Sequence, residues 1–143
     1  MSHKNLNEVH GLLTRWEKAY KKGLLSFWIL LLLHERPAYP YGLAQAVREL
    51  SRGTVITDEQ SIYRVLNRFR SMGLVTSELM KSPIGPNRRY YCLTEKGTAL
   101  LREFTQRNIL VFEAPSVQER VQAVLRKEAA SFRLEVIHDV PQT

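Results

Sequence analysis

Residues 58–97 read DEQSIYRVLNRFRSMGLVTSELMKSPIGPNRRYYCLTEKG. Three signals follow one another in this stretch. Residues 58–72 place Ile62, Val65, Leu66, Phe69 and Met72 at helical spacing as one apolar face. The opposite face shows Gln60, Ser61, Arg64, Asn67, Arg68 and Ser71. Asp58, or Thr57 with Gln60 at capping-box spacing, marks the start of this helix, and Gly73 stops it. Residues 74–81 and 88–93 read as strands, joined by Ser82-Pro83-Ile84-Gly85-Pro86-Asn87, a tip too Pro-rich to pair. Thr94-Glu95 then opens a further helix expected to reach about Phe112.

A polar-faced helix followed directly by a basic β-hairpin is the layout of a winged helix–turn–helix, which sets one helix in a DNA groove and lays the hairpin along the backbone. The outer face carries the residue types that read base edges: Arg pairs bidentately with guanine, Asn and Gln with adenine. Gln60, Arg64, Asn67 and Arg68 are therefore the expected base readers, and Ser61 and Tyr63 suit phosphates. Lys81, Arg88 and Arg89 form the basic wing, and Tyr41, opening the preceding helix, joins the expected DNA-contacting set. A polar helix face alone is most often just solvated, and charge on an edge strand protects it from aggregation. The two together, in this order, favour DNA. Tyr91 is expected to pack inward with Leu93, and Tyr90 to support the wing.

Outward from this segment, residues 5–22 space Leu6, Val9, Leu13, Trp16 and Tyr20 as a narrow apolar stripe close to a coiled-coil seam. Gly23 permits a break, after which residues 24–35 read as a fully buried core helix ended by Pro37. Pro40 suits the first turn of the next helix, residues 41–51, whose apolar face is Leu43, Ala44, Val47 and Leu50. Beyond the wing, Leu101, Phe104, Asn108 and Val111 repeat the seam spacing, with Asn108 either fixing helix register or facing solvent. Ser116 and Glu119 form a capping box for a last amphipathic helix, and Phe132, Leu134 and Val136 alternate like a short strand. The expected organisation is mostly α with one small hairpin. Residues 1–23 form a dimerisation helix, 24–98 the winged helix–turn–helix, and 99–143 a C-terminal dimerisation helix and tail. The expected dimer interface is Leu6, Val9, Leu13, Trp16, Tyr20, Leu101, Phe104, Asn108 and Val111.

The chain of 143 residues carries 21 Lys+Arg against 14 Asp+Glu, a net charge of +7, which favours a polyanionic partner. The excess lies in residues 1–113, with 17 basic against 10 acidic residues; residues 114–143 hold four of each. The lone Cys92 forbids an internal disulfide and suits a reducing cytoplasm, where it is expected as a quiet, buried strand residue. The apolar run at residues 24–33 is too short to cross a bilayer, so no membrane partner is expected. No enzyme signature appears. His3, His10, His34 and His138 lack metal-ligand spacing, and there is no Gly-rich phosphate loop, so neither catalysis nor a metal or other cofactor is expected. Trp16, Phe27, Trp28, Phe104 and Phe112 leave two readings open: plain core or dimer packing, which helical spacing favours, and a flat apolar cavity for a small aromatic effector.

These residues carry a resemblance. The pattern Leu30–Leu33, residues 37–43, Ile62-Tyr63 with Leu66, Gly73-Leu74, and Arg88-Arg89-Tyr90-Tyr91-Cys92-Leu93-Thr94 with Gly97 resembles the PadR family of transcriptional regulators over about half the chain. That family runs from an apolar helix through a Pro–x–His–Gly–Tyr turn to a Leu–Tyr recognition helix. It closes with a Gly–Leu strand start and an Arg-rich wing ending Tyr–x–Leu–Thr–x–x–Gly. Here Tyr39-Pro40 stands for His-Gly, Ile62 for Leu, and Arg64 for a usual Pro. The resemblance implies a homodimer joined through its N- and C-terminal helices, binding double-stranded DNA, repressing a nearby gene and released by a small effector. The competing expectations are a winged-helix protein-interaction module and an architectural DNA binder without sequence preference.

Overall fold

The computed structural model describes residues 2–126. In order come α1 (His3–Glu35), α2 (Pro40–Leu50), α3 (Glu59–Ser71), β1 (Val75–Met80), β2 (Arg88–Leu93) and α4 (Glu95–Phe104). A π-helical turn (Thr105–Ile109), a 3-10 turn (Leu110–Glu113) and α5 (Pro115–Leu125) follow. The described residues are thus mostly α with one antiparallel two-stranded hairpin, the winged-helix layout expected. It divides into two compact units, Met1–Glu103 and Phe104–Thr143.

In the first unit, α1 is one helix of 33 residues and not two. Gly23 does not break it. A glycine inside a helix costs propensity but imposes no bend, and nothing lies within 4 Å of where its Cβ would stand, so no neighbour demands one. Ser2 caps the start by accepting from the Asn5 N–H at 3.3 Å. Pro37 ends the helix by excluding helical geometry from Arg36, which is extended. Residues 24–35 are less buried than their apolarity suggested. Ile29, Leu30 and Leu33 enter the core, while Phe27, Trp28 and Leu32 are half-buried at its margin. A helix meets a small core along one stripe, so apolar residues off that stripe stay partly exposed.

The core sets those three side chains against Leu43 and Val47 of α2 and Ile62, Leu66 and Phe69 of α3. Leu74, Val75, Tyr91 and Leu101 close it. Helix α3 begins at Asp58, whose carboxylate accepts from the Ser61 N–H; Thr57 takes no part in a capping box. It ends in a Schellman motif: Leu74 N–H donates to Phe69 O at 2.9 Å and Gly73 N–H to Arg70 O at 3.1 Å. Gly73 sits at φ +76, where a side chain would be strained, and Leu74 and Phe69 bury together as the motif requires.

The hairpin pairs Val75 with Leu93, Ser77 with Tyr91 and Leu79 with Arg89 on one face, and Thr76 with Cys92, Glu78 with Tyr90 and Met80 with Arg88 on the other. Tyr91 is fully buried, and its backbone exchanges two hydrogen bonds with Ala38, so β2 is flanked on both sides. Cys92, on the outer face, is half-buried and not buried as expected. Leu101 is 6% exposed within the core, so the chain's own packing consumes a side chain expected at a dimer seam.

Where the hairpin meets α4, Thr94 Oγ1 donates to Gly73 O at 2.7 Å and accepts from Gly97 N–H at 3.1 Å. Thr94 N–H donates to Leu74 O at 3.0 Å. A Cβ on Gly97 would stand 2.2 Å from Leu74 O and 2.7 Å from Leu93 Cδ1.

In the second unit the expected α-helix to Phe112 gives way after Phe104. Leu110 N–H reaches back five residues to Thr105 O, and Asn108 Nδ2 donates to Phe104 O at 3.2 Å. Asn108 thus satisfies a carbonyl beside a π-turn, where the usual four-residue ladder is interrupted. Pro115 opens α5, where its missing N–H costs nothing. Ser116 therefore falls inside the first turn, and the expected capping box does not form. Phe132, Leu134 and Val136 lie outside the described residues.

Gly97→Ala should destabilise the fold by about 1–3 kcal/mol or more through overpacking against backbone that cannot yield. Urea denaturation of the two proteins checks this, and an unchanged midpoint would refute the close approach.

Candidate nucleic-acid interface

Helix α3 presents the expected polar face. Gln60, Tyr63, Arg64 and Arg68 are exposed, and Glu59, Gln60, Tyr63 and Arg64 line one shallow concavity. The face is ordered from its N-terminus. Asp58 Oδ1 accepts the Ser61 N–H at 2.6 Å, and Arg64 Nη2 donates to Ser61 Oγ at 3.3 Å. The hydrogen bonds from the Ser61 backbone and hydroxyl, with a smaller contribution from the Arg64 charge, hold the Asp58 carboxyl below its ordinary range. Arg64 is thereby both a candidate base reader and part of the cap. Tyr41, exposed at the first turn of α2, accepts a hydrogen bond from Gln45 Nε2 at 2.9 Å.

Asn67 departs from the expected outward reader. It is half-buried, and its Oδ1 is buried without a hydrogen-bond partner among the described residues. At its position on the helix the side chain borders the packed face, so two-handed contact with a base edge requires the carboxamide to turn outward.

The wing arginines separate. Arg88, on the outer face of the hairpin, lies 4.5 Å over the ring of Tyr39, which in turn meets the edge of Tyr90 at 5.3 Å between centroids. This stack explains the support expected of Tyr90 and is a cation–π contact. Gly42 makes room for it, since a Cβ there would come within 3.2 Å of the Tyr39 ring. Arg89, on the inner face, donates to Ser77 Oγ at 3.1 Å, and Arg70 Nη1 donates to the same oxygen at 3.3 Å. Lys81 is exposed at the shoulder of the tip, where Ser82 Oγ donates to Ile84 O and Gly85 adopts φ +98.

Sequence reasoning missed Arg70, Ser77 and the hydroxyl of Tyr91. Burial, the largest cause, pushes the Tyr91 phenol above its ordinary pKa; Tyr63 adds to this, and the charges of Arg70 and Arg89 oppose it. The signals were present. Arg70 stands two helical turns beyond Tyr63 on one stripe, and strand alternation puts Ser77, Arg89 and Tyr91 on one face.

The arrangement resembles known proteins. Residues 29–103 match the transcriptional regulator PadR-like family. A PadR-like transcriptional regulator from Bacillus cereus is 32% identical, covering 75% of this chain and 96% of its own, with a TM-score of 0.57. A PadR family transcriptional regulator from Eggerthella lenta is 23% identical, covering 85% and 98%, with a TM-score of 0.61. Bacillus subtilis PadR, solved in complex with operator DNA, is 21% identical, covering 59% of this chain and 48% of its own, with a TM-score of 0.55. No curated protein sequence matches the chain.

The Asp58 cap has a pH signature. A carboxyl with a depressed folded pKa contributes stability that is fully present above its unfolded pKa and is lost as pH falls through the folded value. Asp58→Ala should therefore lower Tm at neutral pH, and the gap to wild type should close as pH falls below the ordinary carboxylate range. Parallel thermal melts between about pH 7 and pH 2 check the sign; a gap constant with pH would show that the carboxylate is not the cap.

Proposed function

The chain belongs to the PadR-like family of transcriptional regulators, and on that footing we propose that it is a dimeric, sequence-specific repressor of a palindromic operator. The observation that carries the DNA reading is the exposed Gln60–Tyr63–Arg64–Arg68 face beside a hairpin bearing Lys81, Arg88 and Arg89. Bacillus subtilis PadR has the same fold and was solved with operator DNA, which supports an equivalent use of α3 here. On this reading α3 enters the major groove, where Arg64 and Gln60 read bases, and Tyr41, Ser61 and the wing hold phosphates. Arg64 and Ser61 exchange their mutual hydrogen bond for DNA contacts. Asn67 joins the readers by turning its buried carboxamide outward.

The dimer rests on unused apolar surface. Leu6, Val9, Leu13, Trp16 and Tyr20 are all exposed along α1, Trp16 by 74%. A stripe of that kind on a soluble protein marks a partner surface. A second α1 of the same sequence offers the matching seam. We also assign Phe104, Val111 and Asn108 of the second unit to dimer contacts, with Asn108 spending its amide on Phe104 O. A small aromatic effector fits the same reading. The Trp28 indole nitrogen is buried without a hydrogen-bond partner among the described residues, a donor that an effector's acceptor atom would satisfy.

Selection from a random duplex pool at about 0.15 M salt tests the function. The expected result is a palindrome with half-sites about ten base pairs apart. Arg64→Ala should then cost about 1–3 kcal/mol at one position of the half-site and little at the others. Equal weakening on every sequence would leave an architectural binder. Trp16→Glu should shift the protein toward monomer in sedimentation while leaving its helical circular dichroism intact; an unaltered mass would move the dimer contact off α1.

A further inference from the structure

Arg70 comes from the last turn of α3 and Arg89 from β2, yet both guanidiniums end on one oxygen, Ser77 Oγ, at 3.3 and 3.1 Å. Ser77 thereby uses both lone pairs as acceptors. Each arginine keeps four further N–H donors. Among the described residues no carboxylate pairs with either arginine. Glu78, the neighbouring acid, lies on the opposite face of the hairpin, across from Tyr90. Behind the pair stands Tyr91, fully buried, with a hydroxyl that has no hydrogen-bond partner among the described residues. It is near enough for both guanidiniums to affect its ionisation. Tyr63 borders the cluster and is about half exposed.

Two like charges gathered on a neutral hydroxyl are an unfinished arrangement. They repel, and their remaining donors are open to solvent. What completes them is a group with several acceptor oxygens and negative charge. Phosphate fits both the charge and the fork geometry of arginine. The position also matters. When a helix lies in a major groove and a hairpin reaches the adjacent minor groove, the sugar–phosphate strand between the grooves must cross the cleft between them. Arg70, Ser77 and Arg89 stand where α3 and the hairpin meet.

We propose that Arg70 and Arg89, gathered by Ser77, form a single binding site for one DNA backbone phosphodiester where α3 meets the hairpin. The site deepens the DNA reading above and rests on it. It assigns Arg70, so far without a role, to DNA. It makes Ser77 a positioning residue, which brings two arginines from different elements to one phosphate. It also ties the wing to the recognition helix through the ligand. The bound anion cancels the repulsion that its absence leaves, so DNA draws the hairpin and α3 together.

The test uses the full chain and a mixed-sequence duplex of about 30 base pairs, titrated by fluorescence anisotropy between about 50 and 200 mM salt. Arg70→Gln and Arg89→Gln should each weaken binding several-fold on any sequence. Their effects should be non-additive, because they act on one phosphate. The double variant should flatten the slope of log affinity against log salt by about 0.9 per subunit. Arg70→Lys should keep the slope but recover only part of the affinity, since lysine lacks the fork. Ser77→Ala, which keeps both charges, should keep the slope while losing affinity. Both arginines are exposed, so circular dichroism of the variants should match wild type. Arg70→Gln with wild-type affinity and slope overturns the site and leaves the DNA reading standing. Strictly additive losses overturn the shared phosphate. A wild-type chain that holds no duplex at about 50 mM salt overturns the DNA reading, and the site with it.

Discussion

The missing side chain of Gly97 decides where the wing can be. Helix α4 approaches the start of β1 so closely that a single Cβ would stand 2.2 Å from the Leu74 carbonyl. Thr94 makes that approach stable: its hydroxyl binds the Gly73 carbonyl and receives the Gly97 N–H, while its own N–H takes the Leu74 carbonyl. Lys96 Nζ adds a bond to Met72 O at 2.8 Å, capping the negative end of α3 from the next helix. The end of α3, the first residue of the hairpin and the start of α4 are therefore one knot. The Gly–Leu and Thr–x–x–Gly motifs are its two halves, written 20 residues apart in the chain.

Once the knot fixes β1 and β2, strand alternation assigns every other wing residue. Tyr91 goes inward, and with it, on the same face, Ser77 and Arg89. Arg88 goes outward onto Tyr39, whose ring lies close over Gly42. Two adjacent arginines thus acquire different surroundings from a period of two alone. One is stacked on an aromatic plane and committed to the hairpin's outer face. The other shares a hydroxyl with a helix residue and keeps most of its donors.

Much of this was legible beforehand because it depends on local chemistry. The strands, the tip, the α3 face and the stops at Pro37 and Gly73 follow from periodicity and from residues with restricted or permissive backbones. What was not legible depends on neighbours distant in sequence. Gly23 looks like a hinge in a list of residues, but α1 runs through it unbroken, and no neighbour crowds the space its side chain would fill. Leu101 carries the same seam spacing as Phe104, yet lies in the core, because helical spacing identifies a face and not what the face meets. Asn67 fails as a simple outward reader for a related reason: it sits at the margin between the exposed and packed stripes, where a few tens of degrees decide burial. The Arg70–Ser77–Arg89 convergence joins three elements, and only the strand register brings its members together.

The same free-energy terms that build the fold oppose the charge it carries. A small core of one stripe per helix can hold only a modest excess of stability. Positive groups clustered on one side act against it by self-repulsion. The arrangement tolerates this by spending neutral acceptors on its arginines, Ser61 for Arg64 and Ser77 for Arg70 and Arg89. Hydroxyls orient a guanidinium without neutralising it. Carboxylates in those places would stabilise the free protein and cancel the field that attracts a polyanion. Among the described residues no carboxylate pairs with Arg70 or Arg89, which is the physical counterpart of the function proposed. Ser61 and Ser77 orient these guanidiniums without neutralising them, and their charge is left for the ligand.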